Sequence, residues 1–250
     1  MKKILFVTAF AVIMTACHNN GGDTAVEFGK IAINATTRGS VTESNAPSSS
    51  DRFVLPEELV PSAKELKVEI VGNGVTQKWD TLEDFEQSVA RGLTFASTQH
   101  TVTLSYGEKG VEGWNAPYFE GSATVEVPSY ELTVDAEVEV SLVNSIIAIE
   151  TTANFDGYFP QSSFKINDIA WDKASEKMLF MNAGEVTITC QAVRQTGHED
   201  TLQSVVTLRP TTRHKLVFDL STAGNVTVNV SFDDKIVETI ELDFELNENA

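Results

Sequence analysis

The dominant pattern along this chain is an alternation of apolar and polar positions, which is the period of a half-buried β-strand. It is clear in residues 66–71, where apolar residues alternate with Lys67 and Glu69. It is clearest near the C-terminus, where acidic residues form one face and the other face consists of Ile240, Leu242, Phe244 and Leu246. A strand with this pattern buries one side only.

Similar segments recur along the chain between turn residues such as Gly72, Asn73 and Gly74. The further strands predicted are Val26 to Thr37, Thr101 to Tyr106, Tyr118 to Val127, Glu131 to Leu142, Ile146 to Thr151, Phe164 to Ile169, Glu185 to Val193, Thr201 to Leu208, His214 to Leu220, Asn225 to Phe232 and Ile236 to Leu246. Many strands of this length predict an all-β protein built from β-sandwiches.

One segment has the helical period instead. In residues 82–90 the apolar residues form a stripe, Thr81 with Asp84 forms a capping box, and Gly92 follows as a stop signal. We therefore expect one short helix against the edge of a sheet.

The chain divides near its middle. The long β-forming run from Glu131 to Thr151 carries Asn144 and Ser145 at its centre, where one sandwich can end and the next begin. This predicts an N-terminal β-sandwich over residues 25–143 and a C-terminal one over 144–250.

The first seventeen residues have the pattern of a lipoprotein signal peptide. Lys2 and Lys3 precede an apolar run from Ile4 to Ile13, and small residues then lead to Cys17. The run is shorter than the roughly twenty residues that a transmembrane helix needs. We expect the leader to be removed and Cys17 to be lipidated, so that acyl chains hold the protein at a membrane.

The residues that follow the anchor are polar. Residues 18–24 predict a short flexible tether. The segment from Arg38 to Asp51 is rich in Ser, Thr, Asn and Pro without an apolar period, and predicts an exposed loop.

Charge and cysteine content narrow the possible partners. The formal net charge is −18, and loss of the two leader lysines makes it more negative still, which excludes nucleic acid as a partner. Once Cys17 carries lipid, Cys190 has no intramolecular disulfide partner. Because the residues alternating with Cys190 are apolar, we expect its thiol to point into a core.

The sequence offers no catalytic constellation. The four histidines are scattered without a second ligand at metal-binding spacing, and no nucleophile elbow or phosphate-binding glycine loop is present. Acidic pairs such as Asp233 with Asp234 lack the pattern of a calcium loop. We expect neither enzymatic activity nor a metal site nor a cofactor.

Aromatic residues concentrate between two predicted strands, in residues 106–121, and the candidate ligand-binding side chains there are Trp114, Tyr118 and Phe119. Aromatic rings on a loop can stack on sugars. The alternative is that these rings fold back and plug an open end of a sandwich.

Taken together, the lipobox, the early strand and several short motifs resemble the fimbrillin-like lipoproteins of the Bacteroidetes, which are related to type V pilins. The resemblance is nearest to an uncharacterised domain-of-unknown-function branch. The motifs are Thr36-Thr37-Arg38-Gly39, Ser105-Tyr106-Gly107, Glu112-Gly113-Trp114 and Pro117-Tyr118-Phe119-Glu120-Gly121-Ser122.

This resemblance implies two transthyretin-like sandwiches behind a lipid anchor, at the outer membrane or cell surface or within a fimbrium. It implies cleavage by an arginine-specific protease after Arg38, which frees residues 26–37. It also implies that residues 240–246 are a donor strand for a neighbouring pilin-like subunit. An accessory subunit or a monomeric surface lipoprotein that binds glycan or protein through its loops would have the same sequence features.

Overall fold

The structure is a computed structural model that describes residues 26–42, 52–220, 226–232 and 235–242. Cys17, the leader and the tether lie outside these residues. The first ten strands are β1 (Phe28–Arg38), β2 (Ser40–Thr42), β3 (Arg52–Val54), β4 (Lys67–Gly72), β5 (Val75–Trp79), β6 (Phe95–Ala96), β7 (Gln99–Tyr106), β8 (Gly113–Trp114), β9 (Phe119–Glu126) and β10 (Thr133–Leu142).

The second half of the chain is also built mainly from strands, which confirms the all-β prediction. They are β11 (Ser145–Thr151), β12 (Gln161–Ile166), β13 (Ile169–Trp171), β14 (Leu179–Met181), β15 (Gly184–Val193), β16 (Glu199–Leu208), β17 (Arg213–Leu220), β18 (Val226–Phe232) and β19 (Lys235–Leu242).

Helices are few. The predicted helix is present as α1 (Leu82–Ala90), and the Thr81 hydroxyl accepts a hydrogen bond from the Asp84 backbone N–H at 3.0 Å. The prediction of a single helix is wrong, because a second one, α2 (Ala153–Tyr158), follows β11 and buries Phe155. Two 3₁₀ turns cover Glu57–Leu59 and Ala63–Glu65. No helix among the described residues is long and apolar enough to cross a membrane.

The strands form three main sheets. A seven-stranded sheet has the order β5-β4-β7-β9-β10-β1-β6, a six-stranded sheet the order β19-β18-β17-β11-β14-β8, and a four-stranded sheet the order β13-β12-β15-β16. Strands β2 and β3 form a separate two-stranded ribbon. The seven-stranded sheet belongs to the first half of the chain, and the other two belong to the second half apart from β8.

Two further sequence predictions need correction. Residues 164–169 are not one strand, because Asn167 adopts a left-handed conformation (φ 50°) and turns the chain between β12 and β13. Residues 40–42 are not an exposed loop, because they form β2 and Val41 is fully buried.

Two clusters of buried side chains stabilise the fold. One lies mainly in the first half and includes Ile31, Phe85 and Val138, while the other lies in the second half and includes Phe155 and Cys190. Cys190 is fully buried, as predicted, and burial raises the pKa of its thiol to about 12.

The two halves meet without a spacer. Strand β10 ends at Leu142 and strand β11 begins at Ser145. Hydrogen bonds hold the junction between them. Thr211 donates its backbone N–H to the Asn144 carbonyl at 3.1 Å, and the Ser145 hydroxyl donates to the Arg209 carbonyl at 2.6 Å. The division into domains at residue 143 stays a prediction.

Candidate functional site

The first strand is held almost entirely along one edge. From Lys30 to Arg38, β1 pairs in parallel with β10 in the register Lys30–Thr133 to Arg38–Ser141. Its other edge pairs with β6 only at Phe28 and Gly29. Beyond Gly29 no strand of the described segments pairs with that outer edge, so β1 is bound along most of its length by a single ladder.

The two faces of β1 differ in their contacts. Ile31 is fully buried in the N-terminal core, and Ile33 and Ala35 are partly buried against it. On the opposite face the Asn34 amide donates to a Glu137 carboxylate oxygen at 2.7 Å. The strand therefore contributes an apolar row to the core and a polar row to the surface.

Arg38 is the last residue of β1. Its guanidinium lies 3.2 Å from the Glu139 carboxylate, and 46% of its side chain is exposed. The next residue, Gly39, accepts a hydrogen bond at its carbonyl from the Leu55 N–H at 2.8 Å before β2 begins. The Arg38 side chain is therefore accessible, whereas the backbone that follows it is held by hydrogen bonds.

The candidate donor strand lies at the edge of the six-stranded sheet. Strand β19 pairs antiparallel with β18, with Ile240 opposite Val228 and Leu242 opposite Val226. This is the arrangement of a terminal strand that completes its own sheet. Phe244 and Leu246 lie outside the described residues.

The aromatic residues of the candidate loop pack into the protein. Phe119 is fully buried and Tyr118 is 6% exposed. Trp114 lies in β8, pairs with Leu179 of β14 and packs against the C-terminal core. These positions favour the alternative that the rings plug one end of a sandwich, and only the partly exposed Trp114 keeps an accessible ring surface.

A charged cluster surrounds Tyr118. Its hydroxyl donates a short hydrogen bond to the Glu120 carboxylate, which also lies 3.2 Å from the Lys109 ammonium. Burial raises the pKa of Tyr118, and the bond to Glu120 raises it further. The hydrogen bond from Tyr118 and the charge of Lys109 together lower the pKa of Glu120. At neutral pH the cluster thus contains a neutral phenol between charged neighbours.

A cleft of about 490 Å³ opens beside this loop. Its lining combines apolar surface with carboxylates, one amide and one lysine, and consists of Glu58, Leu59, Glu65, Lys67, Tyr106, Gly107, Glu108, Val111, Asn115, Ala116 and Pro117. The candidate side chains Trp114, Tyr118 and Phe119 do not line this cleft, which is bordered by residues on either side of Trp114. Ligand binding by those three residues stays a prediction.

In the part of the chain that the structure describes, no group of three or more His, Cys, Asp or Glu residues lies close enough together to hold a metal ion.

The chain belongs to the family described as a domain of unknown function, DUF4493, whose pattern matches residues 27–248. No protein with a curated description is significantly similar to it in sequence.

Several solved structures are similar to this chain. One is a fimbrial protein from Bacteroides ovatus, with 8% identity and a TM-score of 0.37, for which 77% of this chain and 49% of that chain are covered. A proposed cell adhesion protein from Bacteroides thetaiotaomicron has 10% identity, a TM-score of 0.36, and coverage of 80% and 94%. Proposed polysaccharide-binding proteins from the same species have 5% identity, a TM-score of 0.34, and coverage of 69% and 91%.

Proposed function

We propose that this protein is a cell-envelope lipoprotein, anchored through Cys17, that serves in adhesion as a pilin-like structural or accessory subunit assembling by β-strand exchange. The observation that carries the proposal is the position of β1, which is held by one parallel ladder and ends at an arginine. A strand bound in this way can be removed without breaking any other ladder of the seven-stranded sheet apart from its two-residue contact with β6.

Removal of β1 would change the surface of the N-terminal half in two ways. The outer edge of β10 would lose its partner from Thr133 to Ser141 and would present unpaired N–H and C=O groups. The core would lose Ile31, which is fully buried, and would open an apolar slot. An open edge beside an apolar slot favours the addition of a strand from another molecule.

The segment from Ile240 to Leu246 has the pattern required of such a strand. Its apolar residues alternate with acidic ones, so one face could fill the slot while the other remains in solvent. Strand β19 lies at a sheet edge, where a single ladder to β18 holds it. Donation to a neighbour requires this segment, or the part beyond Leu242, to extend away from β18.

Treatment of the purified protein with an arginine-specific protease tests the proposal. We expect cleavage after Arg38, followed by a ladder of oligomers on electrophoresis. Arg38→Ala should abolish both, whereas Arg91→Ala, which removes an exposed arginine at the end of α1, should change neither. Clean trimming with a persistent monomer would contradict assembly by strand exchange.

The donor segment can be tested separately. Phe244→Asp combined with Leu246→Asp leaves every residue of the described β18–β19 ladder unchanged, so we expect that pairing to be retained. We expect this variant to be trimmed at the wild-type rate but to give no ladder, because charged side chains do not enter an apolar slot. A normal ladder would contradict the insertion of Phe244 and Leu246 into the slot of a neighbouring subunit.

The cleft beside the aromatic loop favours a second candidate function, the binding of a glycan. Its volume falls in the range of small-molecule sites, and it places Tyr106 near the Asn115 amide and the Glu108 carboxylate. Sugars are bound by such combinations of a ring with planar polar groups. Binding to a glycan array that is lost in Tyr106→Ala but kept in Trp171→Ala would support this function, and absence of binding by the wild-type protein would exclude it.

A further inference from the structure

Exposed apolar side chains collect at one end of the seven-stranded sheet. Among the large apolar residues that the described part of the chain exposes, six lie there: Val26, Phe28, Val71, Val75, Tyr130 and Leu132. We call this set the apolar rim. The strand pairing places its members together, since β1 begins, the β4–β5 hairpin turns, and β9 passes into β10 at this same end.

Backbone contacts fix two segments of the apolar rim against each other. The Phe28 carbonyl accepts a hydrogen bond from the Glu131 N–H at 2.9 Å, and the Leu132 carbonyl accepts one from the Lys30 N–H at 2.8 Å. Between them, Gly29 lies so close to Pro128 that a Cβ there would stand 2.1 Å from the Pro128 carbonyl oxygen. The start of β1 and the β9–β10 turn therefore form one rigid surface.

The β9–β10 turn holds its aromatic residue, Tyr130, in an unfavourable backbone conformation. Tyr130 and Glu131 both adopt left-handed conformations, with φ of 59° and 58°, which residues with a side chain rarely take. Tyr130 nevertheless packs little surface inside the protein, because it is 79% exposed. Internal packing therefore does not explain why a large ring occupies this strained position.

The position of the proposed lipid anchor indicates what covers the apolar rim. Cys17 precedes Val26 by nine residues. Nine residues reach at most about 30 Å, and β1 begins within the rim itself. A membrane that holds Cys17 is thus within reach of this end of the sheet.

We propose that the apolar rim rests on the lipid bilayer, with Tyr130 at the level of the headgroups and the aliphatic side chains at the acyl boundary. The inference rests on the proposed anchoring through Cys17. Tyrosine and exposed aliphatic residues are typical of surfaces that lie at a membrane interface. The charged residues at this end of the sheet include Glu27, Lys30, Glu126 and Glu131, so the contact is hydrophobic and is not favoured by anionic lipid.

Fluorescence quenching in phosphatidylcholine vesicles tests this contact with the lipidated full-length protein. Tyr130→Cys carries an environment-sensitive fluorophore, and Val205→Cys, an exposed position in β16, carries it as the matched control. The native Cys190 is buried, so we expect the folded protein to be labelled only at the introduced cysteine. We expect a blue-shifted emission and a several-fold stronger quenching by nitroxide-labelled lipid at position 130 than at position 205.

The outcomes separate this inference from the proposed anchor. Equal quenching at the two positions, in protein that co-floats with the vesicles, would overturn the docking of the rim and leave the anchor intact. Failure of the wild-type protein to co-float would remove the anchor and, with it, the inference.

A concentration series without vesicles and a second labelling position complete the test. If the label at position 130 became protected in vesicle-free solution as protein concentration rises, the rim would be assigned to a second copy of the chain, and membrane docking would be overturned. Leu132→Cys, outside the strained pair of residues, is the second labelling position and should give the same result as position 130.

Discussion

The rings of Trp114 and Trp171 lie 5.1 Å apart, centroid to centroid, although 56 residues of chain separate them. Trp114 reaches this position because β8, a short strand from the first half of the chain, pairs with β14 of the second half. In the opposite direction, Phe180 of β14 is buried in the core cluster of the first half. The two halves are thus connected by an exchange of side chains as well as by the peptide chain.

Trp114→Ala should destabilise the protein by about 2–3 kcal/mol, because it removes a partly buried indole from the C-terminal core and leaves a cavity. Urea denaturation followed by circular dichroism measures the loss. Tyr130→Ala is the control, since Tyr130 is 79% exposed and should change the free energy of unfolding little. If Trp114→Ala left stability unchanged but abolished binding to a glycan, the ring would belong to a ligand site instead.

Gly29→Ala should loosen β1. The added Cβ would lie 2.1 Å from the Pro128 carbonyl oxygen and 3.0 Å from the Leu132 carbonyl oxygen, and neither backbone atom can move without disturbing the β9–β10 turn. We expect a loss of about 1–3 kcal/mol and faster cleavage after Arg38 by an arginine-specific protease.

The matched control for this substitution is Gly157→Ala in α2, where a Cβ would meet no atom within 4 Å. It should not change the cleavage rate. Equal rates in wild-type protein and Gly29→Ala would show that access to Arg38 does not depend on how β1 is held at its start.

His214 should make the protein less stable in mild acid. Burial lowers the pKa of His214 to about 4, while its Nε2 accepts a hydrogen bond from the Arg209 backbone N–H at 2.9 Å. Between pH 6.5 and 4 the unfolded chain takes up a proton at this residue and the folded chain does not. The free energy of unfolding therefore falls as the pH falls through this window, by about 2–3 kcal/mol in total.

The comparison of wild-type protein with His214→Gln isolates this contribution, since glutamine offers an acceptor but does not titrate. Denaturation curves at pH 7 and pH 4.5 should differ less in the variant than in the wild type. An identical pH dependence would mean that His214 is already protonated in the folded protein at pH 4.5.

The thiol of Cys190 should be inert in the native protein. The residue is fully buried, and desolvation raises its pKa to about 12, so almost no thiolate forms at neutral pH. A maleimide reagent should modify Cys190 only after unfolding in urea. Modification of the folded protein at the rate of a free thiol would show that the C-terminal core opens on the time scale of the reaction.

Local signals predicted much of the fold. The helix α1 was predicted with its bounds because the Thr81 cap, the apolar stripe and Gly92 all lie within eleven residues of one another. The helix α2 was missed because it has only six residues and contains Gly157, too short a stretch to establish a helical period. The bounds of β2 and β8 could not be predicted, because partners distant in the sequence determine whether such short segments pair at all.

The candidate site was less predictable for the same reason. The sequence indicates that Arg38 follows an apolar strand, but its place at the end of a parallel ladder depends on residues about a hundred positions further along the chain, as the bond from Asn34 to Glu137 illustrates. The cleft beside the aromatic loop is formed by segments around residues 58, 65, 106 and 115, which no linear motif joins. The apolar rim likewise depends on which strand ends meet.

The parallel pairing of β1 with β10 has a mechanical consequence for a chain anchored through Cys17. Cleavage after Arg38 would leave the lipid attached to β1 alone, so that hydrogen bonds and side-chain packing, rather than a covalent bond, would connect the body of the protein to the cell. A pull away from the membrane would then act along the strand axis and load the whole register from Lys30 to Arg38 in shear, instead of opening its bonds one after another.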